Sequence, residues 1–284
     1  MELRVFRTYW GVNAPLLDAA REAAAAGFDG IESPAPVDDE SRRHLTEALE
    51  ATGLAWIAEI CTGGDYVPER GLPVAEHSEQ LAERLRWSEG LGPLRVNCIG
   101  GQDAWTLDDS QRFCEAGMDV AARLGLDLCY ETHRSRSLFN PWVTAALLER
   151  LPQLRLTADV SHWCVVAERL ITTEPEVIDA MAAHVGHIHA RVGYDQGPQV
   201  PHPAAPEYAQ ALAAHQWCWE RFWAAQAERG ASLTTLTPEF GADGYMHHLP
   251  FTDVPVADLW SINQWMAHTE RAHFQRWRDA ALTN

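Results

Sequence analysis

Eight short apolar runs, each followed by a stretch of helical period, restrict this chain more than any other feature. The runs are Arg4–Trp10, Phe28–Glu32, Ala55–Cys61, Leu94–Ile99, Leu126–Thr132, Leu154–His162, Val185–Val192 and Leu233–Phe240. Between them lie segments such as "PLLDAAREAAAAG", "SRRHLTEALEATG" and "HSEQLAERLRWSEGLG", each ending in glycine as helices often do. Strand–helix alternation of this kind makes parallel strands joined by right-handed crossovers. Eight such units in 284 residues suit a closed barrel better than an open sheet with two edges to cover. The sequence therefore predicts an α/β fold, one (β/α)8 TIM barrel over residues 1–284, with its active site at the C-terminal ends of strands 5 to 8.

Composition narrows the function. No run approaches the 18 apolar residues of a membrane span, and "MELRVFRTYWGV" lacks the apolar core of a signal peptide. The six cysteines form no CxxC pair, which fits reduced core thiols and a cytoplasmic setting. A net charge of −18 without a basic stripe speaks against a nucleic-acid partner. All 22 basic residues are arginine, which excludes Schiff-base chemistry and a lysine general base.

The C-terminal strand ends, which point into the mouth of a barrel, are unusually polar. Strand 5 ends in "CYETHR" with Glu131, His133 and Arg134; strand 6 gives Asp159 and His162. Strand 7, "GHIHAR", gives His187, His189 and Arg191, and strand 8, "LTPEFG", gives Glu239. Strands 2, 3 and 4 add Glu32, Glu59 and Asn97, of which Glu59, like His187, reads as structural. Mixed carboxylate and imidazole donors suit a divalent ion such as Mn²⁺, Mg²⁺ or Co²⁺. No cysteine is expected at the same depth, which disfavours a thiolate zinc site. The alternative is a mouth filled with ion pairs, in which Arg134 or Arg191 neutralises Glu131 or Asp159.

The residues "YETHR", "DVSHW", "HIHAR" and "PEFG", in this order on successive strands, resemble the xylose-isomerase-like TIM-barrel superfamily. More narrowly they resemble its sugar phosphate isomerase/epimerase group, which includes ketose 3-epimerases, inosose dehydratases and endonuclease IV. The resemblance spans nearly the whole chain. It implies one divalent metal ion, Mn²⁺ first and Mg²⁺, Co²⁺ or Zn²⁺ as alternatives, on Glu131, Asp159, His189 and Glu239. It also implies that Glu131 and Glu239 move the substrate proton and that His162 binds a substrate oxygen. The epimerases carry a further substrate-binding glutamate six residues after the first; here that position is Ser137. In its place stand His133, Arg134 and Arg136, cationic donors suited to a carboxylate, a phosphate or an enediolate oxygen. Endonuclease IV holds extra histidines on strands 3 and 4, where this chain has Glu59 and Asn97, so DNA repair is disfavoured.

These readings converge on a metal-dependent isomerase or epimerase of a small sugar or polyhydroxy carbonyl compound, working through an enediolate. A dehydratase using His133 or His162 as its acid is the alternative on the same site, followed by a non-catalytic sugar-binding barrel. Arg191, His133, Arg134, Trp163 and Tyr9 are the further candidate substrate contacts, the aromatic ones through the C–H face of a sugar. The Trp-rich "HQWCWERFW" reads as a packing or subunit surface, which leaves a homo-oligomer open. The Gly- and Pro-rich connection Gly193–Pro206, expected to be the longest, reads as a lid or a fixed contact loop.

Overall fold

A computed structural model describes residues 1–242 and 244–281. The expected span 1–284 thus includes four residues, 243 and 282–284, that lie outside the described ones. In chain order the elements are β1 (Glu2–Thr8), α1 (Leu16–Ala25), β2 (Gly30–Pro34), α2 (Asp39–Thr52), β3 (Ala55–Cys61), α3 (Val74–Ser88), β4 (Arg95–Ile99), α4 (Leu107–Leu124), β5 (Leu128–Glu131) and α5 (Pro141–Arg150). They continue as β6 (Leu156–Ala158), α6 (Ser161–Ala167), α7 (Pro175–Ala182), β7 (Val185–His189), α8 (Ala209–Glu228), β8 (Leu233–Thr237) and α9 (Leu259–Ala281). The strands form a closed parallel barrel in sequence order, sealed where Glu2 to Val5 pair with Leu233 to Leu236. All eight expected strands are present, and the helices lie around them as in a (β/α)8 barrel.

Local chemistry sets the element ends. Helix α2 starts at Asp38, whose carboxylate accepts from the Ser41 N–H at 2.7 Å while Ser41 reaches back to the Asp38 backbone. It stops at Gly53, whose φ of +67° places the chain in the left-handed region that a glycine enters without strain. Strand β6 is shorter than its apolar pattern implies. Asp159 Oδ1 accepts from Ser161 N at 2.9 Å and Ser161 Oγ at 2.5 Å, an Asx turn that ends the strand and begins α6. His162 consequently sits on the first turn of a helix, not on a strand.

Two connections differ from expectation. The longest is not the one after β7 but that after β8, residues 238–258, which carries a short hydrogen-bonded hairpin (Leu249 N to Val254 O, 2.9 Å). The connection after β7 is packed down: Gln199 exchanges two hydrogen bonds with Gly241, at 3.1 and 2.9 Å, and Val200 is fully buried. That fits the fixed-loop reading better than a free lid. In α8, Cys218, Trp219, Phe222 and Trp223 are buried, with Trp223 edge-on to Phe274 of α9 at 5.0 Å, so the Trp-rich stretch packs the barrel's outer layer. No helix among the described residues is long and apolar enough to cross a membrane.

Arg136 holds the mouth together from beneath. Fully buried, it donates to the carbonyls of Thr62 (2.5 Å), Tyr66 (3.0 Å), Gly101 (3.3 Å) and Asp65, in the connections after β3 and β4. With its donors so engaged, it is a structural tie and not the ligand-binding cation its sequence position suggests. Removing it strands buried carbonyls, each costing about 1–3 kcal/mol. Arg136→Met is therefore expected to lower unfolding stability by about 3 kcal/mol or more in urea titration and to open the Thr62–Tyr66 segment to protease. An unchanged midpoint would contradict this role.

Candidate metal centre and its cavity

Strand register brings the polar residues together. His187 and His189 alternate onto the barrel interior, and an extra residue on β7, Gly186, shifts the pairing so that Thr157 of β6 faces His187. No side chain fits at Gly186, because a Cβ there would lie 2.7 Å from Cys129 Sγ. Above this layer, Glu131, Asp159, His189 and Glu239 each present one ligand atom, all within 4.8 Å of one another and all buried. This is the set that the resemblance implied.

His189 is the centre of the group. Its Nε2 lies 3.0 Å from Glu32 Oε1, so that with the proton on Nε2 the Nδ1 lone pair faces the carboxylates. Nδ1 is 3.0 Å from Glu239 Oε2 and 3.6 Å from Glu131 Oε2. His189 Nδ1 and Glu239 Oε2 are both buried and face each other, a pairing that holds when the imidazole carries a proton on Nδ1. With Nδ1 deprotonated, both atoms would need a shared cationic partner. Glu131 is steadied by Asn97 Nδ2 at 2.7 Å, and the Asp159 backbone by Thr132 Oγ1 at 2.8 and 2.9 Å.

The charge balance points the same way. Arg191, itself buried, pairs with Asp159 Oδ2 and lies 3.6 Å from Glu239 Oε2, so part of the ion-pair alternative is realised. Arg134 takes no share; it stacks on Tyr245 at 5.0 Å. One guanidinium against Glu32, Glu131, Asp159 and Glu239 leaves a deficit, which protons fill. Burial pushes Glu131 up to about 8, with Glu239 and Asp159 adding to the effect against His189. Burial works to lower His189, but Glu239, Glu32 and Glu131 overrule it and hold the imidazole well above its ordinary range. A divalent cation would replace those protons, and the donor set fits Mn²⁺-type ions.

The quartet opens into a cavity of about 550 Å³. Glu131, Glu239, His133 and Arg191 line it, with Trp10, Asn13, Glu59, Cys61, Tyr66, Tyr245 and His248. His162 does not. It lies beside the wall, 3.9 Å from the His133 ring between centroids, with Nε2 2.5 Å from Arg191 Nη2. Burial, reinforced by neighbouring arginines, keeps both His133 and His162 well below their usual pKa.

Tyr9 and Trp163 are not brought to the cavity. Tyr9 donates to the Ala14 carbonyl at 2.6 Å and faces a separate hollow, while Trp163 is fully buried and donates to Leu138 O at 2.9 Å. Trp10 takes the place expected of Tyr9; its ring lies where a Cβ on Gly241 would come within 2.0 Å. Ser137 is also away from the cavity. Cys61 lines the cavity, contrary to expectation, although burial raises its thiol well above the ordinary value and it joins no donor group. His187 is bonded to Thr235 Oγ1 at 2.8 Å and Glu32 Oε2 at 3.1 Å, and with Glu32 and His189 it forms a further group close enough to hold an ion. Tyr66, Tyr245 and His248 were not singled out from the sequence; their signal was aromatic and histidine residues in the connections after β3 and β8.

A family model described as a xylose isomerase-like TIM barrel matches residues 20–197. Among solved structures, an L-ribulose 3-epimerase is 17% identical with a TM-score of 0.68, over 99% of this chain and 98% of that one. The 3-keto-D-glucoside 4-epimerase YcjR from E. coli is 14% identical at a TM-score of 0.61, over 95% and 100%. Endonuclease IV from Thermus thermophilus is 13% identical at 0.59, over 96% and 99%. At such identities the likeness is one of fold. No curated protein matches the sequence.

Glu32 orients His189 without being one of the quartet. Carboxylates in that relation typically contribute about 10–100-fold to metal affinity. Glu32→Gln is expected to weaken Mn²⁺ binding by about that factor, and His189→Ala to abolish stoichiometric Mn²⁺ after dialysis, measured by elemental analysis. Full occupancy in both variants would mean that the ion sits elsewhere.

Proposed function

The chain belongs to the xylose isomerase-like TIM-barrel family, and from that premise we propose a divalent-metal-dependent isomerase or epimerase of a small sugar or other polyhydroxy carbonyl compound. One observation carries the reading: Glu131 and Glu239 line the same cavity and approach His189 Nδ1 to 3.6 and 3.0 Å. Two carboxylates so placed can take a proton from one face of a bound α-hydroxy carbonyl and return it to the other, or to the adjacent carbon. A divalent ion on Glu131, Asp159, His189 and Glu239, Mn²⁺ foremost, would supply the Lewis acidity that makes the α-C–H acidic.

The chain's own residues do the rest. Arg191, fixed by Asp159 and stacked on Tyr245 at 4.8 Å, presents fixed positive charge to the oxygen on which negative charge develops. His133 offers a substrate contact on the cavity wall, and His162 positions it and Arg191. Trp10, Tyr66 and Tyr245 supply apolar faces for the C–H groups of a polyol.

The glutamate pair supports epimerisation or isomerisation over dehydration. Loss of a hydroxyl calls for a further acid at the leaving oxygen. Proton transfer by a glutamate pair needs no third acid. All four donors are present, which weighs against a non-catalytic barrel. The net charge of −18, and Asn97 on β4 committed to Glu131, weigh against a nuclease.

Incubation of the Mn²⁺-loaded protein with free ketoses, D-fructose among them, in D₂O is expected to place deuterium α to the carbonyl. Glu131→Gln and Glu239→Gln should each slow that exchange by at least about 10². His162→Ala should raise KM more than it lowers kcat. Turnover without any solvent deuterium in the product would refute proton transfer through an enediolate.

A further inference from the structure

Glu59 stands at the end of β3 beside Asn97 of β4 and lines the cavity, yet it belongs to no group of potential metal ligands. The other charged groups there are engaged. Glu131 accepts from Asn97, Arg191 holds Asp159, Glu239 faces Arg191 and His189, Asp65 accepts from Tyr66 N at 2.7 Å, and His248 pairs with Asp253 at 3.2 Å. The Glu59 carboxyl makes no hydrogen bond and no ion pair among the described residues. It is half-buried on the cavity wall, with the carboxylates of Glu239, Glu32 and Glu131 as its charged neighbours. A carboxyl without a protein partner on the wall of a binding cavity is a contact that a ligand completes.

We infer that Glu59 is a substrate-recognition residue, whose carboxyl takes a hydroxyl group of a polyol lying over the metal quartet on the β3 side. The inference rests on the proposed function for the ligand's class. Three observations favour a neutral hydroxyl at this point. A carboxyl hydrogen-bonds a hydroxyl in either protonation state, as acceptor when ionised and as donor and acceptor when neutral. An anionic substituent here would face Glu59, Glu239 and Glu131 together. The same cavity holds Trp10 and Tyr66, 6.5 Å apart between ring centroids, which suit the C–H faces of a polyol. A site built to bond a hydroxyl discriminates strongly against a ligand lacking it, because its own polar group is then left unpaired.

The test uses xylitol, a polyol without a carbonyl, titrated calorimetrically into the Mn²⁺-loaded protein, with metal content and melting temperature measured on the same samples. The wild type should bind xylitol. Glu59→Leu should lose at least tenfold in xylitol affinity, keep its Mn²⁺ and melt no lower than the wild type, and Glu59→Gln should retain most of the binding. Unchanged xylitol affinity in Glu59→Leu would overturn the inference. So would loss of Mn²⁺ in that variant, which would mean that Glu59 acts through the ion, or failure of the wild type to bind xylitol. The two readings fail separately: a protein that shows the predicted Glu59 dependence but never exchanges deuterium with any ketose keeps this inference and loses the isomerase assignment. A protein that exchanges deuterium with the same KM in Glu59→Leu does the reverse.

Discussion

Four carboxylates, Glu32, Glu131, Asp159 and Glu239, are buried around the imidazoles of His187 and His189 and the guanidinium of Arg191, and this crowding governs the architecture above the barrel. Burying like charges together is among the costliest arrangements a fold can hold. Arg191 answers Asp159 and part of Glu239; His189 is shared among Glu32, Glu131 and Glu239. Neither reaches a full balance, and burial together with the neighbouring carboxylates raises the pKa of Glu131. A small doubly charged ion with oxygen and nitrogen ligands would answer that imbalance.

The barrel makes such a site possible because its layers are fixed independently of the charges. Beneath the quartet, His187 is locked by Thr235, Thr237 and Glu32, and the extra residue at Gly186 sets the height at which β7 delivers His189. Around it, Arg136 ties together the connections after β3 and β4, while Gln199 clamps the connection after β7 to Gly241. Rigid supports of this kind keep donors in place when the group they hold is absent. The polar residues at the mouth are then free to serve chemistry.

Legibility in the sequence followed physical range. The eight strands could be read because alternation with helices is a local pattern, and the quartet because its members all lie at or just beyond strand ends, where a barrel must point them inward. What escaped was decided by contacts distant in sequence. Tyr9 and Trp10 are adjacent, and only the Tyr9–Ala14 hydrogen bond and the absence of a side chain at Gly241 determine that Trp10 faces the cavity. Trp163 follows His162 directly, yet the Asx turn at Asp159 starts a helix that sends it into the core. Glu59 looked structural because the sequence does not reveal that nothing bonds its carboxyl. The long connection after β8 was passed over for the proline-rich one after β7, although it brings Tyr245 and His248 to the cavity.

The central claim, that one ion sits on three carboxylates and a single imidazole nitrogen, is open to direct spectroscopic measurement. Electron spin-echo modulation of the Mn²⁺-loaded protein reports nitrogen nuclei bonded to the ion. The account predicts coupling to one imidazole nitrogen, that of His189, with His133, His162 and His187 contributing none. An ion without nitrogen coupling, or one coupled to two or more histidines, would contradict it.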